Sequence, residues 1–234
     1  MMGLDRMKGF VLILFLICLS CSPRKVDSTA QLPNDSTTSK RNHVAKDSLI
    51  LSKIFADHFR IWFEYQESTY GKIYTDSFKV ERKDLLINTL KELPPVEYLN
   101  MLGDYFFYSK DSSKLLDIYS GTVLFEKTSS NKLQGMLTLG SDIVFYDQKI
   151  QTKNHIEFER TYCTLDEAIW ISDNEIVIVG DKCFKEDREL SVWDINLRLK
   201  KVDRYFLNYV PKQFGNEYLT DIKLKDVNIY LDDQ

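Results

Sequence analysis

The stretch that most constrains the fold is Leu165 to Tyr205. Ala168-Ile169-Trp170-Ile171 runs into Ser172-Asp173-Asn174, and Ile176-Val177-Ile178-Val179 follows and stops at Gly180-Asp181. Leu190 to Ile195 reads as a third strand, and Leu197 to Phe206 as a fourth. β-Branched and aromatic runs broken by Asp, Asn and Gly are what antiparallel strands and their turns require. The expected fold is therefore mainly β within an α+β class. It is an antiparallel meander of propeller-like or sandwich hairpins, with one or two short N-terminal helices.

The chain of 234 residues fits one domain plus appendages. Its apolar content of 44% is enough to form a packed core and argues against general disorder. A net charge of −4 argues against nucleic acid as a partner, because phosphate binding needs a concentrated basic face.

The N-terminus reads as an address. Arg6 and Lys8 precede the apolar run Phe10 to Ile17, and Cys18-Leu19-Ser20-Cys21 closes it. A run this short cannot span a bilayer, which takes roughly 20 residues, but it suits a secretory signal. Ser20-Cys21 followed by polar Ser22-Pro23-Arg24-Lys25 resembles the lipobox of bacterial lipoproteins, although Cys18 stands where that motif usually has an aliphatic residue. The resemblance covers only the first 25 residues or so. It implies a signal peptide over 1–20, lipidation of Cys21, and a membrane partner reached through the lipid. It also implies a place in the cell envelope, at the outer membrane facing the periplasm.

Residues 21–47 read as lipid anchor and flexible tether, since Ser22 to Asp47 has no aromatic residue and is rich in Ser, Thr, Asp, Asn and Lys. Residues 48–234 then form a single β-rich domain. Leu51, Ile54, Phe55, His58 and Phe59 stand at helical spacing. The alternation of Phe59, Ile61, Phe63 and Tyr65 predicts a strand to about Gln66, and Lys72 to Val80 predicts another. Leu86, Leu90 and Leu93 predict a helix over Lys83 to Leu93, ended by Pro94-Pro95. Beyond it the chain reads as β. A faint repeat joins Leu102-Gly103-Asp104, Leu139-Gly140-Ser141-Asp142 and Ile171-Ser172-Asp173, too few times for a closed propeller. Ile222 to Leu224 and Val227 to Leu231 predict closing strands.

No catalytic motif, phosphate loop or metal-ligand spacing is present. No cofactor and no metal is expected. His58 sits on the apolar face of the first helix as a half-buried residue. His155 with Cys163 would make a conceivable nucleophile pair, but disulfide use of Cys163 is favoured in an oxidising compartment. Asp173 lies midway between Cys163 and Cys183. In an antiparallel hairpin this brings the two cysteines opposite each other, given one bulge to offset a two-residue Asp173-Asn174 turn. A Cys163–Cys183 disulfide is the expectation. The acidic groups Asp166-Glu167, Glu186-Asp187 with Glu189, and Asp232-Asp233 read as solvated faces.

Tyr105, Tyr108 and Trp193 are the candidate partner-binding residues, because Tyr and Trp are enriched at interface cores. The functional expectation is a non-catalytic protein-binding module tethered to the membrane. One form of it resembles lipoprotein immunity factors, which block an envelope-targeted toxin. The alternatives are an accessory subunit of an outer-membrane assembly and a carbohydrate-acting hydrolase with an unrecognised carboxylate pair.

Overall fold

The predicted meander forms the middle layer of the molecule. In the computed structural model the described residues are 36–130, 132–138, 142–157, 163–184, 187–209 and 218–230. Among the described residues the α-helices are α1 (Ser36–Asp57), α2 (Arg60–Tyr70) and α3 (Val96–Leu102). The strands are β1 (Lys79–Asp84), β2 (Leu86–Leu90), β3 (Phe107–Tyr108), β4 (Lys114–Asp117), β5 (Val123–Lys127), β6 (Leu133–Leu137) and β7 (Ile143–Asp147). Then come β8 (Thr152–Glu157), β9 (Cys163–Ser172), β10 (Glu175–Phe184), β11 (Asp187–Asn196), β12 (Lys201–Tyr209) and β13 (Asn228–Tyr230).

The strands make three sheets, in the orders β1-β12-β11-β10-β9, β2-β8-β7-β4-β3 and β13-β6-β5. The first of these, sheet A, holds the whole meander with β1 added to its edge. Its two faces serve two cores. Ile176, Ile178, Trp193 and Ile195 join the larger core with Leu116, Phe145 and Phe125 of the other two sheets. Val177, Val179, Leu190 and Val192 face the opposite way and pack with Leu51, Phe55, Phe59 and Trp62 of α1 and α2. Strand side chains alternate faces, so a strand between two apolar layers must be apolar at every position. This explains the unbroken Ile176 to Val179 run. All four meander strands lie in one sheet, which packs against the second, sheet B. Trp170 marks the contact, edge-on to Phe145 at 6.0 Å between ring centroids.

Five local expectations are corrected. Phe59 to Gln66 is helical rather than extended. Phe59, Trp62 and Gln66 are buried at a spacing of three and four, while Ile61 is 62% exposed, so the helical period decides which residues enter the core. Leu86 to Leu90 is a strand rather than a helix, since a spacing of four is even and fits one face of a strand equally well; pairing with β8 settles it. Ile222 to Leu224 falls at the end of a π-helical turn, Leu219–Lys223, and only Asn228–Tyr230 extends, parallel to β6. The 72–80 stretch is irregular with a short 3-10 turn, Thr75–Ser77, and extends only from Lys79, where β1 begins. α1 already runs from Ser36, inside the stretch read as tether. Burial of Leu51, Ile54 and Phe55 holds its second half, and helix propagates upstream more easily than it nucleates. No described helix is long and apolar enough to cross a membrane. The signal, Cys21 and the first part of the tether lie outside the described residues.

The cysteine register is also corrected. Ser172 pairs with Glu175, so the turn is the two-residue Asp173-Asn174 type, and a shift after Glu175 supplies the expected bulge. A second shift follows: Val179 pairs with Glu167 but Gly180 with Leu165, leaving Asp166 as the extra residue. Beyond it Cys163 pairs with Lys182, and Cys183 with Arg188 on the next strand. The two cysteines are therefore offset by one position rather than directly opposed; their side chains lie outside those described. The second bulge has a use. It lets the Asp166 carboxylate, 0% exposed, accept a 2.8 Å hydrogen bond from Trp62 Nε1, tying α2 to β9.

One strained spot has a measurable signature. Asp194 on β11 pairs directly with Asp203 on β12. Like charges opposed across a ladder repel. Burial first, then Glu175 and Asp203, pushes the Asp194 carboxyl up from 3.8 to about 6. The folded protein thus keeps a proton there that the unfolded chain releases. Stability contributed by this group is complete below about pH 4 and falls as pH rises towards 6. Asp194→Asn is expected to raise stability at neutral pH by on the order of 2 kcal/mol and to flatten the pH dependence across that window. Urea melts at several pH values check this; equal midpoints for wild type and variant at neutral pH contradict it.

Candidate functional site

The outer face of sheet B carries a polar cleft with converging side chains. β7 is buried on both faces: Ile143 and Phe145 share one face, and Val144 and Tyr146 share the other, which lines the cleft. β8 alternates, with Asn154 and Ile156 inward and Lys153 and His155 outward. Val144 pairs with His155, and Tyr146 with Lys153, so these four form a compact floor. The walls are Glu92 and Pro95 from the segment after β2, Tyr98 of α3, Asp117 at the end of β4, and Ser120 and Gly121 after it. Asp142 closes the ring, and the cleft encloses about 360 Å³.

Asp117 organises one wall. Its Oδ1 accepts backbone N–H bonds from Tyr119 at 3.1 Å and Ser120 at 3.0 Å, and its Oδ2 accepts the Tyr98 hydroxyl at 2.8 Å and the Ser120 hydroxyl. A carboxylate so occupied holds the turn and is poorly placed to move protons. Burial and Asp117 together push the Tyr98 phenol well up. Gly121 is required by close approach: a Cβ there would stand 2.2 Å from the Asp142 backbone nitrogen. That contact brings the Asp142 carboxylate to the mouth. Across the cleft Lys153 Nζ lies 3.8 Å from Glu92 Oε1, a loose pair. Tyr146 is 5% exposed, and its hydroxyl has no hydrogen-bond partner among the described residues. Burial, then Asp117, then Glu92 push this phenol up to about 12. No group of His, Cys, Asp and Glu among the described residues is arranged to hold a metal ion.

The residues singled out from the sequence do not converge here. Trp193 is 0% exposed at the centre of the larger core, so its expected place on a partner surface is corrected: it faces sheet B from β11. Tyr105 is half-buried and stacks on Phe125 at 5.6 Å. Tyr108 is 45% exposed on β3, an edge of sheet B, and donates to the Gly103 carbonyl at 3.1 Å. His58 is exposed rather than half-buried, because α1 ends before its side chain reaches the core. His155 lies in the cleft. Asp166 is internal rather than solvated, and Glu167 accepts the Tyr218 hydroxyl at 2.8 Å and pairs with Lys223. Glu189 pairs with the buried Arg204. Glu186, Asp232 and Asp233 lie outside the described residues.

Glu92, Tyr98, Asp117, Asp142, Tyr146 and Lys153 escape a search by motif, because they come from five separate segments. One signal was available in the sequence. The strand period in Ile143-Val144-Phe145-Tyr146 already places Tyr146 on the face opposite Ile143 and Phe145.

Beside the cleft, β2 is an edge strand, paired only with β8 among the described residues. Leu86 and Leu90 stand on its outward face, 64% and 52% exposed, in register with Glu157 and Lys153. Leu93 and Val96 continue the apolar surface at 42% and 71% exposure. No family model, no curated protein and no solved structure matches this chain.

Proposed function

We propose that this chain is a lipid-anchored protein of the bacterial cell envelope, held at Cys21, whose folded part binds another protein without catalysing a reaction. The observation that carries the reading is the edge of sheet B. An unpaired strand edge with exposed leucines is a template for another chain, and native proteins ordinarily blunt such edges with charge, proline or a cover. Here Leu86 and Leu90 stand uncharged on the edge strand. The occupant that fits is an extended segment of the partner, added as the next strand: backbone hydrogen bonds supply affinity and alternate side chains supply choice. An envelope-targeted toxin blocked by an immunity-type inhibitor is one such partner. A subunit of an outer-membrane assembly facing the periplasm is another.

The competing reading is a carbohydrate-acting hydrolase that uses the cleft carboxylates. Glycosidase chemistry needs two carboxyl groups free to act on opposite sides of a bond. Asp117 is engaged by four donors, and Glu92 faces Lys153.

Two measurements test the proposal. Mass spectrometry of the mature protein is expected to find lipid on Cys21, and Cys21→Ser is expected to leave the membrane fraction; a variant that stays there unchanged contradicts the anchor. A photo-crosslinking residue in place of Asn88 is expected to capture one defined protein, whereas one in place of Ile150 captures none. Leu86→Lys with Leu90→Lys is expected to weaken that association at least about tenfold, or about 1.4 kcal/mol, without shifting the melting temperature. Capture that survives the double substitution, or turnover of an envelope polysaccharide by the purified protein, rejects the binding reading.

A further inference from the structure

We propose that the cleft on the outer face of sheet B binds an organic cation, a guanidinium or ammonium group, and that Glu92, Asp142 and the Tyr146 hydroxyl receive it. The inference deepens the binding reading: the cation would be an Arg or Lys side chain of the segment that adds along β2. The cleft borders that strand directly, since Lys153 and His155 of its floor pair with Leu90 and Asn88.

Charge selects the class of ligand. Three carboxylates, Glu92, Asp117 and Asp142, line the cleft against a single ammonium, Lys153. The Lys153–Glu92 separation of 3.8 Å is beyond hydrogen-bond range and leaves Glu92 able to accept a closer donor. An anionic ligand would meet this field with repulsion. Burial first, then the charges of Asp117 and Glu92, resist ionisation of the Tyr146 phenol, so it meets a ligand as a neutral hydroxyl.

Tyr146 supplies the observation that acidic residues alone do not. Its side chain is 95% buried, yet it lines the cleft and its hydroxyl has no partner among the described residues. The buried ring fixes the hydroxyl at the cleft wall, where its oxygen stays open to a donor arriving in the cleft. A guanidinium carries five N–H donors in a planar fork, enough to reach a phenol oxygen and a carboxylate together. A neutral sugar fits less well. Sugar rings stack on open aromatic faces, whereas Tyr146 offers the cleft its hydroxyl and little of its ring.

Titration of the full-length chain with agmatine, followed by isothermal calorimetry and by NMR of the tyrosine ring signals, tests this. Agmatine is expected to bind saturably, more weakly as salt rises. Tyr146→Phe and the double change Glu92→Gln with Asp142→Asn are each expected to weaken it at least about fivefold with unchanged melting temperature. N-acetylglucosamine and inorganic phosphate serve as the neutral and anionic comparisons. No agmatine binding, binding indifferent to these substitutions, or preference for the sugar or phosphate overturns the cation site. The edge-strand crosslink at position 88 reports separately on the partner, so either reading can fail while the other stands.

Discussion

Gly180→Ala is expected to destabilise the protein by about 3 kcal/mol or more. An added Cβ would stand 2.0 Å from the Thr164 carbonyl oxygen and 3.1 Å from Leu165 Cα. Both are backbone atoms of the neighbouring strand, so no side-chain rotation can relieve the contact. The close approach belongs to the second bulge, where β9 carries Asp166 as its extra residue. To make room, β9 must move away from β10, and the buried Trp62–Asp166 hydrogen bond sits at that point. For a chain of this size about 3 kcal/mol corresponds to a fall of roughly 6–12 °C in melting temperature. Denaturant melts compared at equal slope measure it, and a loss below about 1 kcal/mol shows that the bulge can relax.

Trp193→Ala is expected to cost about 3–5 kcal/mol, the range for removing a large buried aromatic side chain. Trp193 is fully buried, pairs in register with Ile178 and Arg204, and belongs to the core shared by all three sheets. Folded stability is ordinarily about 5–15 kcal/mol, so the variant sits near the limit of folding. Tyr108→Ala on the exposed edge should change stability by less than about 1 kcal/mol. The contrast separates two uses of aromatic residues that look alike in the sequence. Trp193→Phe keeps most of the buried volume; if it destabilises as much as the alanine, filling the core is not what Trp193 does.

The central sheet is legible in the sequence because its four strands are consecutive, strongly β-branched and separated by clear turn residues. Even the two-residue Asp173-Asn174 turn and its neighbouring bulge can be read from the chain. The second bulge cannot, since it depends on what Asp166 meets across the layer, and Trp62 lies far away in sequence. Leu86 to Leu90 fails for another reason: residues four apart share a face in both a helix and a strand, so only the partner strand decides. Phe59 to Tyr65 shows the converse, where an apparent alternation includes Ile61, which the core never takes up. The cleft is the least legible part. Its polar residues are ordinary one by one and acquire meaning only when the turn after Asp117, the segment at Glu92 and strand β7 meet.

The burial of sheet A on both faces carries a risk of its own. In a sheet with one wet face, sliding a strand by one residue exposes its apolar side chains, and that penalty protects the pairing. In the Ile176 to Val179 run such a slip would exchange one buried aliphatic set for another, so hydrophobicity alone gives little protection against misalignment. Discrimination must come from side chains that tolerate only one neighbour. Asp166 has the indole of Trp62, Asp181 has Arg188 at 3.3 Å, Arg204 has Glu189, and Gly180 must face the Thr164 carbonyl. These few polar and small residues would act as indexing pins during folding. Replacing them with well-packed apolar residues could leave melting temperature intact while letting the meander settle in more than one alignment.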